Sequence, residues 1–530
     1  MSGIVFDSEP TPAQVDPARA DVACFVGLVR CIPDAVLSPA LTDWLKQQGW
    51  FGGPCARLSA PDPLLPIADV TIQMPVADVP IPIESYSTFT ALFDSGDSAV
   101  SFGTDYLAAA VRSFFAQGGK RCYVVRMDDP VTPSDTPQTK SGKLQKLLST
   151  SAYAADDQRG WHGAGHLAGL PDVSFLAMPD LPILTATVPA RAVGQVPIAP
   201  TEPARFVECA KHQDPPVTLP IQYGFAAPRL TPDDYKSWAQ AAQTVIRFLS
   251  TGGSLREMLF VAALPLPQDT SVAAAFEAPT NSLTQDIRDV IAGLGADISS
   301  AFLQLAYPWL KTTGSHVLLE GLEPPDGALT GILARNALTR GTFASATKVV
   351  PSEIFDLSPV LPARETTVST TPLKWGDNSP KPLIERLSLF GFTPSGLALL
   401  SDVTTYAGET YRPGRIHRLV AVILRASRRL GEEVVFQTNG PLLWARIQTF
   451  LRQLMTRLWQ LNALDSAAVS DAFSVRCDRS TMTQNDLDNG RVVAVVSFNA
   501  ASTIEFIRVT LALQAGGTSA QDAAAPAEAS

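Results

Sequence analysis

Apolar residues fall in short runs divided by polar, proline-rich stretches, and runs of strand length alternate with segments of helical period. Val22 to Val29 (VACFVGLV) is almost wholly apolar, the pattern of a strand covered on both faces. Leu41 to Gln48 and Tyr86 to Phe93 read as short helices. Asp105 to Gln117 (DYLAAAVRSFFAQ) is a clearer one, with Leu107, Ala110, Val111, Phe114 and Phe115 on one stripe and Gly118-Gly119 as its stop. Arg121 to Met127 follows as a strand, so this region predicts a strand, helix, strand unit. Val173 to Ala177 and Met258 to Leu264, each ended by a proline, are strands on either side of an amphipathic helix over Tyr235 to Ser250, closed by Gly252-Gly253. They predict a second α/β layer. Residues 130–160 are polar and mark a boundary. Residues 361–382, with Pro362, Pro372, Pro380 and Pro382, read as a linker.

The C-terminal part is the most regular. Pro441 to Asn462 is a long helix that starts with proline in its first turn. Its apolar stripe runs Leu443, Ile447, Phe450, Leu454 and Leu458, flanked by Trp444 and Trp459. Arg446, Arg452 and Arg457 occupy its polar positions, and no acid occurs from Val434 to Leu464. That face is either solvated or a docking surface for an acidic partner. Val492 to Phe498 and Glu505 to Leu513 are strands. In the second, Ile507, Val509, Leu511 and Leu513 alternate with Arg508 and Thr510, as in a half-buried strand. At the ends, residues 1–20 hold one strand-like stretch (Gly3 to Asp7) among Pro10, Pro12 and Pro17, and residues 514–530 lack core-forming side chains. The first segment is a disordered end or an arm that pairs elsewhere; the last is a flexible tail.

Composition narrows the function. The 530-residue chain has a formal net charge of −10, which disfavours nucleic-acid binding. No apolar run is long enough to span a membrane, and MSGIVFDSEP lacks the features of a secretory signal. Charged residues are 17%, below the roughly 25% of ordinary soluble domains, which means either large neutral interfaces or a biased, Ala- and Pro-rich composition. The six cysteines form no CxxC pair and read as reduced thiols in a cytosolic protein.

Catalytic signatures are missing. There is no GxSxG elbow and no GxGxxG. Gly118-Gly119-Lys120 fails as a phosphate loop, because Phe114 stands where the first glycine belongs and Arg121 replaces the Ser/Thr. Asp128 and Asp129 are a solvated turn pair. His162 and His166 in WHGAGH are not expected on one helix face, since two glycines intervene, so no metal or cofactor site is assigned.

Taken in order, several segments resemble the tail-sheath family of contractile injection systems: contractile phage tails, R-type pyocins, type VI secretion and extracellular injection particles. The segments are VACFVGLV, YLAAAVRSFFAQGGKRCYVVRM, LAYPWLK (305–311), PPDGALTGILARNALTRGTF (324–343), LLWARIQTFLRQLMTRLWQLNAL, AFSVRCD, DLDNGRVVAVVSF and EFIRVTLAL. LTDWLKQQGWFGG (41–53) resembles the extracellular injection-particle branch most. The arm segment SGIVFDSE is shorter than the family's, LLSDVTTY (399–406) stands in place of its "GaRT" segment, and the region of Ala344 to Lys348 lacks the usual proline.

The resemblance implies a mixed α/β and α+β, multidomain, non-enzymatic subunit. It implies a discontinuous inner sheath domain (21–130 with 400–513), inserted outer domains (150–380), an N-terminal arm (1–20) and a flexible tail (514–530). Copies would form a helical homo-oligomer around an inner tube protein, with baseplate and cap proteins as further partners. Assembly would be cytoplasmic, within a phage tail-like particle that can be released extracellularly. Ile4, Val5 and Phe6 at one end, and Phe506, Ile507, Val509 and Leu511 at the other, would exchange strands between subunits. In this context the face with Arg446, Arg452 and Arg457 is expected to hold the tube. A different tail or baseplate component and a soluble α/β enzyme are the alternatives.

Overall fold

The computed structural model describes residues 20–32, 38–48, 77–93, 101–149, 161–187, 226–251, 253–268, 298–367, 382–434, 437–485 and 492–500. The chain divides into two units, each discontinuous in sequence: Met1–Pro362 with Arg386–Glu433, and Ala363–Glu385 with Val434–Ser530.

The first unit is built on one eight-stranded sheet. Its strands are β1 (Val22–Leu28), β2 (Pro80–Ile83), β3 (Cys122–Asp128), β4 (Val173–Ala177), β5 (Leu259–Ala263), β6 (Leu303–Tyr307), β7 (Ser388–Thr393) and β8 (Gly396–Leu399). Their order is β8-β7-β6-β5-β4-β1-β3-β2. All neighbours are parallel except the β7–β8 hairpin and the β2–β3 edge pair. Every residue of β1 is buried, as its apolar run requires of a central parallel strand. Pro80 and Pro82 sit on the edge strand β2, where a missing N–H costs no ladder bond.

Among the described residues, the longer helices that accompany these strands and the second unit are α1 (Pro39–Gln47), α2 (Tyr86–Leu92), α3 (Tyr106–Ala116), α4 (Pro137–Leu148), α5 (Leu181–Thr185), α6 (Pro232–Ser250), α7 (Asp326–Thr339), α8 (Gly414–Val434) and α9 (Pro441–Gln460). There are short helical turns at Ala363–Thr366 and Val469–Ala472 besides. The predicted strand, helix, strand unit is β1–α3–β3. Gly118-Gly119-Lys120 is the end of α3: the Gly119 N–H reaches the Phe114 carbonyl at 3.0 Å and the Gly118 N–H that of Phe115 at 2.9 Å. Thr231 and Asp234 form a capping box at the start of α6, with Pro232 in its first turn.

Two expectations need correction. The strands at 173–177 and 258–264 do not form a second layer, because β4 pairs with β1 and β5 with β4. A strand buried on both faces has the same apolar pattern whichever sheet it joins. The polar stretch 130–160 is likewise not a boundary of this unit. It contains α4, whose Leu147 is fully buried, and the unit runs on to Pro362. The sheet therefore draws strands from 21–130 and from 150–380 alike, whereas the break at Pro362 falls at the start of the expected linker.

Helix α3 is buried nearly all round, beyond its one predicted stripe. Phe114 meets Phe25 edge to face at 5.5 Å on the sheet side. The other side meets α7, where a Cβ on Gly327 would lie 2.5 Å from Ala110 Cα and one on Gly331 2.5 Å from the Phe114 carbonyl oxygen. Two glycines four residues apart thus let the helix backbones touch.

In the second unit, α9 packs with a two-stranded antiparallel sheet of β9 (Phe473–Arg476) and β10 (Val495–Phe498). The long helix begins at Pro441 as predicted. The strand predicted from Val492 is shorter. Of the cysteines, Cys24, Cys122 and Cys477 are free and buried and Cys31 is half-buried, while Cys55 and Cys209 lie outside the described residues.

Gly327→Ala and Gly142→Ala should shift stability in opposite directions. The first forces α3 and α7 apart and should cost about 1–3 kcal/mol. The second fills open space on α4 and should gain about 0.5–1 kcal/mol. Urea unfolding of the full-length chain measures both.

Candidate functional site

The arginine face of α9 is a surface. Arg446, Arg452 and Arg457 are all exposed. Arg452 and Arg457 line an open groove along the helix with Thr449, Gln453, Thr456 and Gln460. Arg446 Nη1 donates to Gln437 Oε1 at 3.4 Å. The opposite side buries Leu443, Ile447, Leu451, Met455 and Leu458. The expected stripe is therefore corrected at two places: Phe450 is exposed and Leu454 only half-buried, with Leu451 and Met455 inward instead. Successive steps of three and four residues gave two stripes of equal periodicity, and contact with the sheet selects one. Gln448 Nε2 donates to the Val475 carbonyl of β9 at 3.0 Å, which sets the rotation of the helix. Ile4, Val5, Phe6, Phe506, Ile507, Val509 and Leu511 lie outside the described residues.

In the first unit, chain connections diverge between β1 and β4. The carboxyl ends of strands at such a point form the usual ligand crevice of a doubly wound sheet. Here the chain fills it. Asp180, fully buried, accepts the Leu28 N–H on Oδ2 at 2.7 Å. Gly27 makes room for it, since a Cβ there would lie 2.3 Å from Asp180 Oδ2. Asp105 and Tyr106 at the start of α3 and Asp326 at the start of α7 are also buried. The Tyr106 ring meets Trp309 edge to face at 5.7 Å. Helix N-termini that elsewhere attract a ligand's phosphate thus already face the chain's own acids. Nearby, Glu323 accepts from Ser113 and, at 2.8 Å, from Thr312. Burial, only partly offset by those bonds, pushes Glu323 up to about 7.

Sequence reading missed α8 altogether. Its arginines point inward. Arg418 forms a two-pronged pair with Asp402 at 2.9 and 2.6 Å, and Asp402 also accepts from Gln304 and from the Ala346 N–H. Burial opposes ionisation of Asp402, but the Arg418 charge and these bonds outweigh it and hold the acid below the usual carboxylate range. Arg425 and Arg428 share Glu257 at 3.1 and 2.7 Å, and Arg425 also bonds the Val173 carbonyl of β4. The signal was the run RIHRLVAVILRASRR, whose arginines recur on the same face as its apolar residues. His417 beside them is buried, and neither ring nitrogen has a partner among the described residues. Its ring packs edge-on to Phe302 at 5.2 Å. Burial, then the Arg418 charge, pushes this imidazole down to about 3.

His162 and His166 do converge, contrary to expectation. His162 Nδ1 lies 2.5 Å from Asp78 Oδ2, and His166 Nε2 lies 2.9 Å from Asp78 Oδ1. The helix-face rule does not apply, because His162 is in extended backbone before a 3-10 turn over Gly163–Gly169. Burial opposes ionisation of Asp78, but the bonds from both rings and the Gly163 N–H hold it below its usual range. The cluster pins 161–169 beside β2. Among the described residues no group of three or more His, Cys, Asp or Glu side chains could hold a metal ion. Asp128 and Asp129 are not simply solvated: they pair with Lys146 and Arg126 at 2.9 and 2.7 Å. Among the described residues no helix is long and apolar enough to cross a membrane.

No family model matches the chain. No curated protein matches it either. Solved structures do. A chain of the anti-feeding prophage (AFP) baseplate, 6-fold symmetrised, is 17% identical with a TM-score of 0.55, over 97% of this chain and 99% of that one. A chain of the AFP helical sheath in its contracted state is 17% identical with a TM-score of 0.53, over the same shares. A chain of the AFP baseplate in its contracted state is 16% identical with a TM-score of 0.55, over 98% of each chain. The fold is therefore one found in sheath and baseplate assemblies of a contractile particle, from end to end of the chain.

His417 should make the fold acid-sensitive. As pH falls from about 6.5 toward 3, the unfolded chain binds a proton that the folded imidazole refuses, so stability is lost in that window. The loss relative to His417→Leu should be on the order of 1 kcal/mol per pH unit. Urea midpoints of the two proteins from pH 7 to pH 4 measure the difference, and parallel curves would exclude this source.

Proposed function

We propose that this chain is a structural sheath subunit that polymerises around an inner tube and contracts to drive the tube through a target envelope. The observation that supports it most is the end-to-end likeness to a chain of the AFP contracted helical sheath. The collinear sequence segments, from VACFVGLV to EFIRVTLAL, point the same way. A structural role also suits the crevice between β1 and β4, which is filled by Asp180 rather than open to substrate.

Strand exchange would link the subunits. The β9–β10 pair is a sheet of only two strands among the described residues, and such a ribbon is marginal alone. Its free edges can accept strands from neighbouring copies: Ile4, Val5 and Phe6 of one arm, and Phe506, Ile507, Val509 and Leu511 of another. Subunits joined in this way stay connected while they rotate. Contraction would follow if a second packing of the same surfaces is lower by a few kcal/mol per subunit. The face with Arg446, Arg452 and Arg457 would hold an acidic tube before firing. The inner and outer assignment of 21–130 with 400–513 against 150–380 enters in altered form. Because one sheet joins 21–130 and 150–380, the outward-facing parts would be the helices and loops of 150–380, not a separate layer.

A second reading is a baseplate component, favoured by the equal likeness to chains of the AFP baseplate. Filament length separates the two.

Negative-stain microscopy of the purified chain should show long helical tubes. Deleting residues 1–20 or 503–530 should abolish them. Rings that never elongate would favour the baseplate reading, and a closed monomer that keeps both ends on its own body would sink the sheath.

Arg446→Glu, Arg452→Glu and Arg457→Glu together should leave sheath length unchanged but lower tube occupancy at least tenfold, as counted by cryo-EM of particles assembled with the tube protein. Normal occupancy would remove the arginine face from tube binding.

A further inference from the structure

The acids between β1 and β4 do more than fill space. Asp180 is fully buried and has one donor, the Leu28 N–H on Oδ2. Its Oδ1 has no partner among the described residues, and the same is true of Asp326 Oδ2 and the Tyr106 hydroxyl. The charged or titratable groups around Asp180 come from three elements: Asp105 and Tyr106 at the start of α3, Asp326 at the start of α7, and Lys143 on α4. Among the described residues Lys143 is the cation that acts on Asp180, while Glu323 faces Asp326, and Glu320 and Arg229 face Tyr106. Lys143 is already held by Asp135 at 2.9 Å and by the carbonyls of Asp129 and Pro130 at 3.1 and 3.4 Å. Asp326 takes the Gly327 N–H, at 2.9 Å on Oδ1, and its own N–H. A buried carboxylate with one donor and acids for neighbours is costly, whereas a carboxylic acid in the same place is not.

We propose that this crevice is a proton-dependent latch: while its acids keep their protons, the ends of β1 and β4, joined through Asp180, stay packed against the starts of α3 and α7, and base opens it. Burial and the neighbouring acids Asp105 and Asp326 raise Asp180 well above the carboxylate range, against the pull of the Leu28 N–H. Burial pushes Asp326 up to about 7. The sign is fixed by the raised proton affinity. The unfolded chain releases these protons from about pH 4 upward while the folded chain retains them, so the fold weakens as pH rises. The latch lies within the first unit and does not depend on the assembly proposal.

Hydrogen exchange of the full-length chain at pH 6, 7.5 and 9, corrected for intrinsic rates, tests it. Amides of residues 26–32 and 178–186 should lose roughly tenfold in protection between pH 6 and 9, the effect of one unit of proton affinity. Amides of residues 303–307 should not. Asp180→Asn keeps an oxygen for the Leu28 N–H but cannot ionise, so it should hold its protection at pH 9. Asp326→Asn should hold part of it. Constant protection in the wild type, a uniform loss along the chain, or an undiminished loss in both variants would overturn the latch. If Asp180→Asn fails to fold, the wild-type profile and Asp326→Asn decide.

Discussion

A strand without a polar side chain has to be covered on both faces and paired on both edges, and β1 meets that demand in the middle of the first unit. Parallel pairing with β3 on one side and β4 on the other uses up its backbone groups. Parallel neighbours require crossover connections, and these bring helices onto the sheet. The contact of α3 with α7 follows, because the residues covering Phe25 must themselves be covered. The junction where the connections diverge also follows, and with it the crevice that Asp180 occupies.

The low charge content has a second side in the structure. Few residues are ionisable, yet several of them are not on the surface. Arg418 with Asp402, and Arg425 with Glu257, are buried pairs that fasten α8 to the first unit. Removing one member of such a pair strands a charge, at a typical cost of about 3–5 kcal/mol, so these pairs define where α8 can sit more sharply than apolar contacts would. Charges taken inside leave the exterior still more neutral, as the proposed self-assembly would require.

Fold and function rest on different parts of the chain. The sheet and its helices share their fold with chains of the AFP sheath and baseplate, but a fold alone does not specify a task. The proposed task depends on the α9 face, on the two-stranded sheet beside it and on the terminal segments. Those parts have local chemistry suited to partners: exposed arginines without acids along one helix and, among the described residues, a sheet of only two strands. The filled crevice is the counterpart. Where many doubly wound proteins hold a substrate, this one holds its own acids and gains a dependence on protons.

Local patterns were legible wherever one element decides the outcome. The apolar run of β1, the stop at Gly118-Gly119, the strand of Val173 to Ala177 and the start of α9 at Pro441 all follow from residue type and spacing, because burial on both faces, capping and proline geometry act within a few residues. The exposed positions of Arg446, Arg452 and Arg457 were legible for the same reason. Tertiary structure alone decided what requires two distant segments to meet. It joined β4 and β5 to the sheet of β1, turned the arginines of α8 inward toward Asp402 and Glu257, and chose Leu451 and Met455 over Phe450 and Leu454. It also brought Asp78 to both His162 and His166. Each of these depends on a partner far away in sequence, and neither periodicity nor composition carries the position of that partner.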